Sequence, residues 1–221
     1  MATTREIKHA LIALLREPTP NPLEDFLSRV PLKKAVSPLV GFFCHRDEEI
    51  RLRAITALGM IIDRLAHANM EEARVVMRRL MWTLNDESGG IGWGAPEAMG
   101  DACARNEKIA SEYHRILCSY VNEEGNFLEH ETLQRGALWG LCRLAETDPE
   151  KVMAAASDVR KHLDSPDPVK QGLALIFAKR VGDAEAREKA KELTHSQHAF
   201  TLLSEWELKK TTVGQEANHI A

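Results

Sequence analysis

RDEEIRLRAITALG, residues 46–59, decides the fold, because a related pattern returns three more times along the chain. The other copies are NDESGGIGWGAPEAMG at 85–100, HETLQRGALWGL at 130–141 and SPDPVKQGLALIFAKRVG at 165–182. Superposing Arg53, Gly94, Arg135 and Gln171 gives spacings of 94 − 53 = 41, 135 − 94 = 41 and 171 − 135 = 36 residues. A small residue follows each of them: Ala54, Ala95, Gly136 and Gly172. Small residues on one helical stripe let a neighbouring helix approach closely, and the preceding acids Asp47, Asp86 and Asp167 suit the turn that enters a helix. A period of this length is the mark of a repeat architecture. Each unit reads as an outer and an inner helix, and a pair that cannot bury its apolar face alone must stack on the next pair.

Outward from these copies, apolar residues keep the helical period almost everywhere, and alternation of the kind strands need is nearly absent. The pattern predicts helices near 4–16, 22–29, 31–45, 47–67, 70–84, 91–105, 107–122, 130–147, 149–163, 167–181, 183–193 and 197–210. Pro31 and Pro149 stand where a first turn tolerates a missing N–H, Asp148 can cap the helix it precedes, and Gly182 followed by Asp183 ends one helix and starts another. Composition agrees: 27 Ala and 25 Leu in 221 residues, with 5% aromatics, favour helix over sheet. Apolar residues at 44% suffice for a core without staples.

DEEIRLRAITALG at 47–59 resembles the HEAT-like repeat, including the short form found in phycobilisome-lyase-type proteins. DPVKQGLALIFAKRVGD at 167–183 carries the same pattern more weakly, and the middle two copies are degenerate. The chain is also similar to uncharacterised bacterial proteins built from these repeats. The resemblance implies an all-α, right-handed, armadillo-like α-solenoid of about four HEAT-like helix pairs over 31–193, forming a single continuous domain. A helical cap over 1–30, a C-terminal capping helix over 194–210 and a polar tail over 211–221 would complete it. The inner helices, at 47–67, 91–105, 130–147 and 167–181, would line the concave face, where such arrays usually bind. Some HEAT-like proteins bind DNA, and the lyase-type ones attach or remove bilin pigments, but a fold carries neither activity by itself.

The glycine-rich stretch Gly89 to Glu97 is the oddest segment. Gly90 to Ala95 formally fits G-x-G-x-x-G/A, yet that motif binds dinucleotides only after a strand, and here a helix precedes it. Four glycines and a proline at the start of an inner helix sacrifice helix stability, so tight packing or a binding site must need the unusual backbone. In the repeat register Trp93 and Glu97 fall beside Arg53 and Arg135, which suggests a charged ladder Arg53, Glu97, Arg135 along the groove. The candidate site is therefore Arg53, Gly90, Gly92, Trp93, Glu97, Arg135 and Trp139, with the tryptophans as apolar anchors and the charged residues giving polar specificity; Trp and Arg are enriched at interface hot spots.

Other chemistries find less support. The nine histidines are scattered, and His195 with His198 falls short of the three or four ligands of a zinc site, so neither metal nor cofactor is expected. Cys44, Cys103, Cys118 and Cys142 form no C-x-x-C pair, and Cys44, Cys118 and Cys142 read as packed on apolar stripes. The formal charge, 29 − 33 = −4, argues against a phosphate-holding protein. No apolar run is long enough to span a membrane, and the first residues lack the features of a signal peptide, which places the expected setting in the cytoplasm. The expected function is that of a protein-interaction or scaffold module binding a protein partner through the concave face, rather than catalysis. A small-ligand or enzyme site centred on 89–97 is the alternative, and a DNA-binding HEAT-like protein a lesser one.

Overall fold

The computed structural model describes residues 3–85 and 91–220. Its helices are α1 (Thr4–Leu14), α2 (Asn21–Leu27), α3 (Leu32–Phe42), α4 (Glu48–Ala68), α5 (Met70–Thr83), α6 (Ala95–Arg105), α7 (Glu107–Ser119), α8 (Glu131–Thr147), α9 (Ala156–Arg160), α10 (Pro168–Val181) and α11 (Ala184–Leu193). A two-stranded antiparallel hairpin, β1 (Ala199–Ser204) and β2 (Glu207–Thr212), follows, and α12 (Val213–Asn218) comes last. Short 3-10 segments, Pro149–Ala155 and Lys161–Asp164, flank α9.

α4, α6, α8 and α10 pack in succession as an inner layer, each backed by its outer neighbour. The chain is an all-α solenoid of HEAT-like helix pairs with one appended hairpin. Its helix starts are fixed by polar caps: the Asp47 side chain accepts from Glu49 N–H, Asn69 from Glu71, Asn106 from Ile109, Asp167 from Val169 and Asp183 from Glu185 and Ala186. Gly182, at φ 71°, ends α10. Asp86 lies outside the described residues.

Small residues do set the helix spacing. Gly100 on α6 faces Gly140 on α8 so closely that a Cβ on either would strike the other helix's backbone. An ion network locks the same layers: Asp101, fully buried on α6, accepts from Arg105 at 2.6 Å and from Arg143 of α8 at 3.1 Å. Arg143 also meets Glu146, which pairs with Arg180 of α10. A carboxylate with no exposure is tolerable because two guanidiniums supply the donors it lost from water.

The C-terminus differs from expectation. Residues 199–212 form the hairpin where a capping helix over 194–210 was predicted, and the first residues of the expected polar tail over 211–221 contribute to β2 and α12. Leu202, Leu203 and Trp206 fit a helical i, i+1, i+4 stripe, and in a run this short that spacing does not exclude a strand. Tertiary contacts decide it. Phe200 of β1 packs on Gly172, whose missing side chain makes the room. The Trp139 indole Nε1 donates to the Leu203 carbonyl at 3.0 Å.

The hairpin turn crosses to the other end of the array. Arg53 of α4 donates through Nε to the Trp206 carbonyl at 3.0 Å and through Nη1 to the Leu15 carbonyl at 3.0 Å. Thr56 donates to the Glu205 carbonyl at 2.9 Å, and Trp206 Nε1 to the Glu17 carbonyl at 2.8 Å. The segment after α1, the first inner helix and the C-terminal hairpin are thereby tied together, and the chain's own C-terminal segment covers part of the inner-helix layer.

Candidate binding site on the inner helices

What the hairpin leaves open is a cavity of about 640 Å³. α4 contributes Glu48, Arg51, Leu52 and Ile55, and α8 contributes Thr132, Arg135 and Trp139. Trp93, Gly94 and Glu97 enter from α6 and the segment before it, Val169 and Leu173 from α10, and Thr201, Leu202 and Leu203 from β1. Four consecutive inner helices thus give one side chain or more each to the same hollow, which is how a repeat array generates a composite surface.

The glycine-rich entry to α6 owes its composition to the backbone. Gly92 and Gly94 have φ of 70° and 72°, a region costly for other L-residues. A Cβ on Gly92 would also lie 2.6 Å from the Thr83 carbonyl oxygen, and one on Gly94 2.7 Å from the Phe43 ring. α6 consequently begins at Ala95, with Gly94 as its N-cap, later than the predicted start at 91. Gly90 lies outside the described residues. No strand precedes the segment among the described residues; α5 does, so the dinucleotide motif has no structural basis. Trp93 is half-buried and meets the ring of His130 edge-on, 4.7 Å between centroids.

The expected charged ladder is not formed. Arg53, 6% exposed, belongs to the hairpin anchor and pairs with Glu49 at 2.8 Å. Arg135 pairs with Asp167 of α10 at 2.6 Å, the same aspartate that caps that helix. Trp139, 8% exposed, is a cavity wall held by Leu203 rather than a free anchor. The structure brings Trp93, Glu97, Arg135 and Trp139 to one cavity and assigns Arg53 and Gly92 to its supports.

Glu97 carries the unusual electrostatics. Its carboxyl group lies against Gly136, where any Cβ would collide with it, and its Oε2 is buried with no hydrogen-bond partner. Burial pushes its pKa up to about 7, which the bond to its own backbone N–H and the charge of Arg51 offset only in part. Arg51 pairs instead with Glu48 at 3.0 Å.

Sequence reasoning missed Arg51, Glu48, Thr132 and the β1 residues. Glu48, Arg51, Leu52 and Ile55 form one face of α4, recognisable by i, i+3, i+4 spacing, whereas Arg53 points to the adjoining face that grips the hairpin. Burial disfavours the thiolate of three of the cysteines. Cys103 and Cys142 are buried, with pKa values pushed up to about 12, and burial raises Cys118 to about 11. Cys44 is exposed at the cavity edge, contrary to the expected packing. Among the described residues there is no cluster of His, Cys, Asp and Glu able to hold a metal, and no helix is long and apolar enough to cross a membrane.

No family model matches the chain. It is similar to an uncharacterised protein of Archaeoglobus fulgidus, 28% identical over 110 residues, which are 50% of this chain and 54% of the relative. The chain thus spans about half the length of the curated relative it matches. Among solved structures, a designed armadillo repeat protein superposes with a TM-score of 0.55 at 17% identity, covering 100% of this chain and 94% of the other. An engineered protein gives 0.54 at 17% identity, covering 99% and 90%. A computationally designed armadillo repeat protein for modular peptide recognition gives 0.52 at 17% identity, covering 96% and 97%. At these identities the likeness shows the HEAT/armadillo-like fold.

Proposed function

We propose that the protein is a binding module that takes a segment of a protein partner in the concave cavity. The observation that carries this reading is the cavity itself: about 640 Å³, lined by α4, α6, α8, α10 and β1, with exposed polar groups over apolar walls. One of the structurally similar proteins was designed for modular peptide recognition, which supports peptide binding as a use of this architecture. The likeness of 47–59 to the phycobilisome-lyase-type repeat rests on sequence alone and adds no pigment chemistry to the proposal.

Trp93 supplies an aromatic anchor, and Arg135 supplies polar recognition, since 44% of its side chain stays exposed despite the Asp167 pair. Arg51 and Arg135, the arginines lining the cavity, are paired with acids, which supports a protein partner over a nucleic acid. A second reading, a small molecule held within the hollow, draws on its volume, which falls in the range of roughly 300–1,000 Å³ common to ligand pockets.

The test is selection of binders from a displayed heptapeptide library, with affinities measured on synthetic peptides. Peptides selected by the wild type are expected to bind Trp93→Ala and Arg135→Ala at least about tenfold more weakly, while Trp82→Ala, on an exposed outer position, leaves affinity unchanged. Equal affinity for all four folded proteins would remove the cavity from the function.

A further inference from the structure

We infer that the cavity receives a lysine or arginine side chain, its cationic head at the Glu97 carboxyl and its carbon stem along the apolar wall; this rests on the cavity being the binding site. The cavity's charges leave one gap. Glu48 and Arg51 neutralise each other at 3.0 Å, and Arg135 is neutralised by Asp167 at 2.6 Å. Glu97 has no ion-pair partner among the described residues, and its Oε2 is covered by Gly136 without a hydrogen bond. A largely buried carboxyl whose one donor is its own backbone N–H is costly to ionise, and an occupant that brings a charged N–H relieves that cost with a strong, charge-assisted bond.

The walls suit the rest of such a side chain. Leu52, Ile55, Trp139, Leu173 and Leu202 surround the same hollow with apolar surface, against which a flexible alkyl stem packs while its head reaches a polar group. An acidic side chain in this place would set a second negative charge beside Glu97, and a purely apolar one would leave the carboxyl unsatisfied. The burial that raises the Glu97 pKa to about 7 helps here, because near neutrality the carboxyl exchanges its proton for the incoming cation at little cost.

The probes are N-acetyl-lysine methylamide, N-acetyl-arginine methylamide and N-acetyl-norleucine methylamide, the last keeping an alkyl stem without the charge. Each is titrated at pH 7.5, a value chosen to sit just above about 7, into the full chain while the indole resonance of Trp93 is followed by NMR. One or both cationic probes are expected to bind at least about tenfold more tightly than norleucine, and Glu97→Gln is expected to remove that preference. Which cation wins separates the two side chains. Norleucine binding as well as the cations, cations binding Glu97→Gln undiminished, or no probe binding overturns the inference, and the wild-type comparison decides even if the variant fails to fold.

The peptide selection described above keeps the two readings apart. Selected peptides without a lysine or arginine preference refute the cation site and leave the peptide-binding module standing. Cationic probes that depend on Glu97, with no peptide selected, support the cation site and refute the peptide reading.

Discussion

The carboxyl group of Glu97 on α6 rests on Gly136 of α8, and the contact exists because residue 136 has no side chain. It joins a repeat position that the 41-residue spacing marks as small to the cavity group with the most shifted titration. Helix spacing and site chemistry are here the same constraint.

Stability is expected to report the buried carboxyl directly. Its ordinary value is 4.5 and its folded value about 7, so between those pH values the folded protein holds a proton the unfolded chain has released. The sign follows: this group makes stability fall as pH rises from about 5 to about 7, and its effect is flat above that. The interval corresponds to on the order of 3 kcal/mol, less where the cavity admits water. The charges facing it are Glu48 and Arg51 from α4, His45 before α4 and Arg135 from α8, and all remain in Glu97→Gln. Urea unfolding at several pH values should therefore show a smaller loss of stability toward pH 8 in the variant, and parallel curves would reject the shifted pKa.

Gly136→Ala adds a methyl where the carboxyl lies. The expected cost is about 1–3 kcal/mol of overpacking, with the cavity's affinity for its occupant reduced in parallel. Combining it with Glu97→Ala removes the clashing group, so the double variant should be less destabilised than the sum of its parts. Strict additivity in denaturant melts would mean the two residues do not touch.

Arg53→Ala is expected to cost about 3 kcal/mol or more, because it orphans the Trp206 and Leu15 carbonyls and leaves the hairpin turn without its main tie to α4. Hydrogen exchange offers the sharper readout. Amides of β1 and β2 should lose protection more than those of α8, whereas a uniform loss would make Arg53 a general core residue.

The repeat was legible because its evidence is periodic: four copies at near-constant spacing identify α4, α6, α8 and α10 and the small residues between them. The hairpin was not, because Leu202, Leu203 and Trp206 are spaced as on a helix, and only contacts with residues far off in sequence, Arg53 at 153 positions' separation and Trp139 at 64, select the strand pair. The lining of the candidate cavity was half legible for the same reason. Trp93, Glu97 and Arg135 follow from register, but Arg53 was diverted by a hairpin invisible in the sequence pattern, and Arg51 one face away took its place in the cavity.

Glu205 gives the last test of that hairpin. It is the non-glycine residue with positive φ, 55°, among the described residues, and it occupies the first position of a two-residue turn between Ser204 and Glu207. Such turns favour Gly there because an L side chain crowds the following carbonyl, at roughly 1–2 kcal/mol. The strain persists because both turn carbonyls are gripped from outside, Glu205 by Thr56 and Trp206 by Arg53. Glu205→Gly relieves the crowding but frees the unfolded chain, two effects of opposite sign, so the net gain should be small, about 0.5–1 kcal/mol. Glu205→Asn, which tolerates the left-handed region without glycine's entropy, should match or exceed it. In the Arg53→Ala background, where the grip is weakened, the turn can relax and the gain should shrink. An equal gain in both backgrounds would show that α4 does not hold the strained turn.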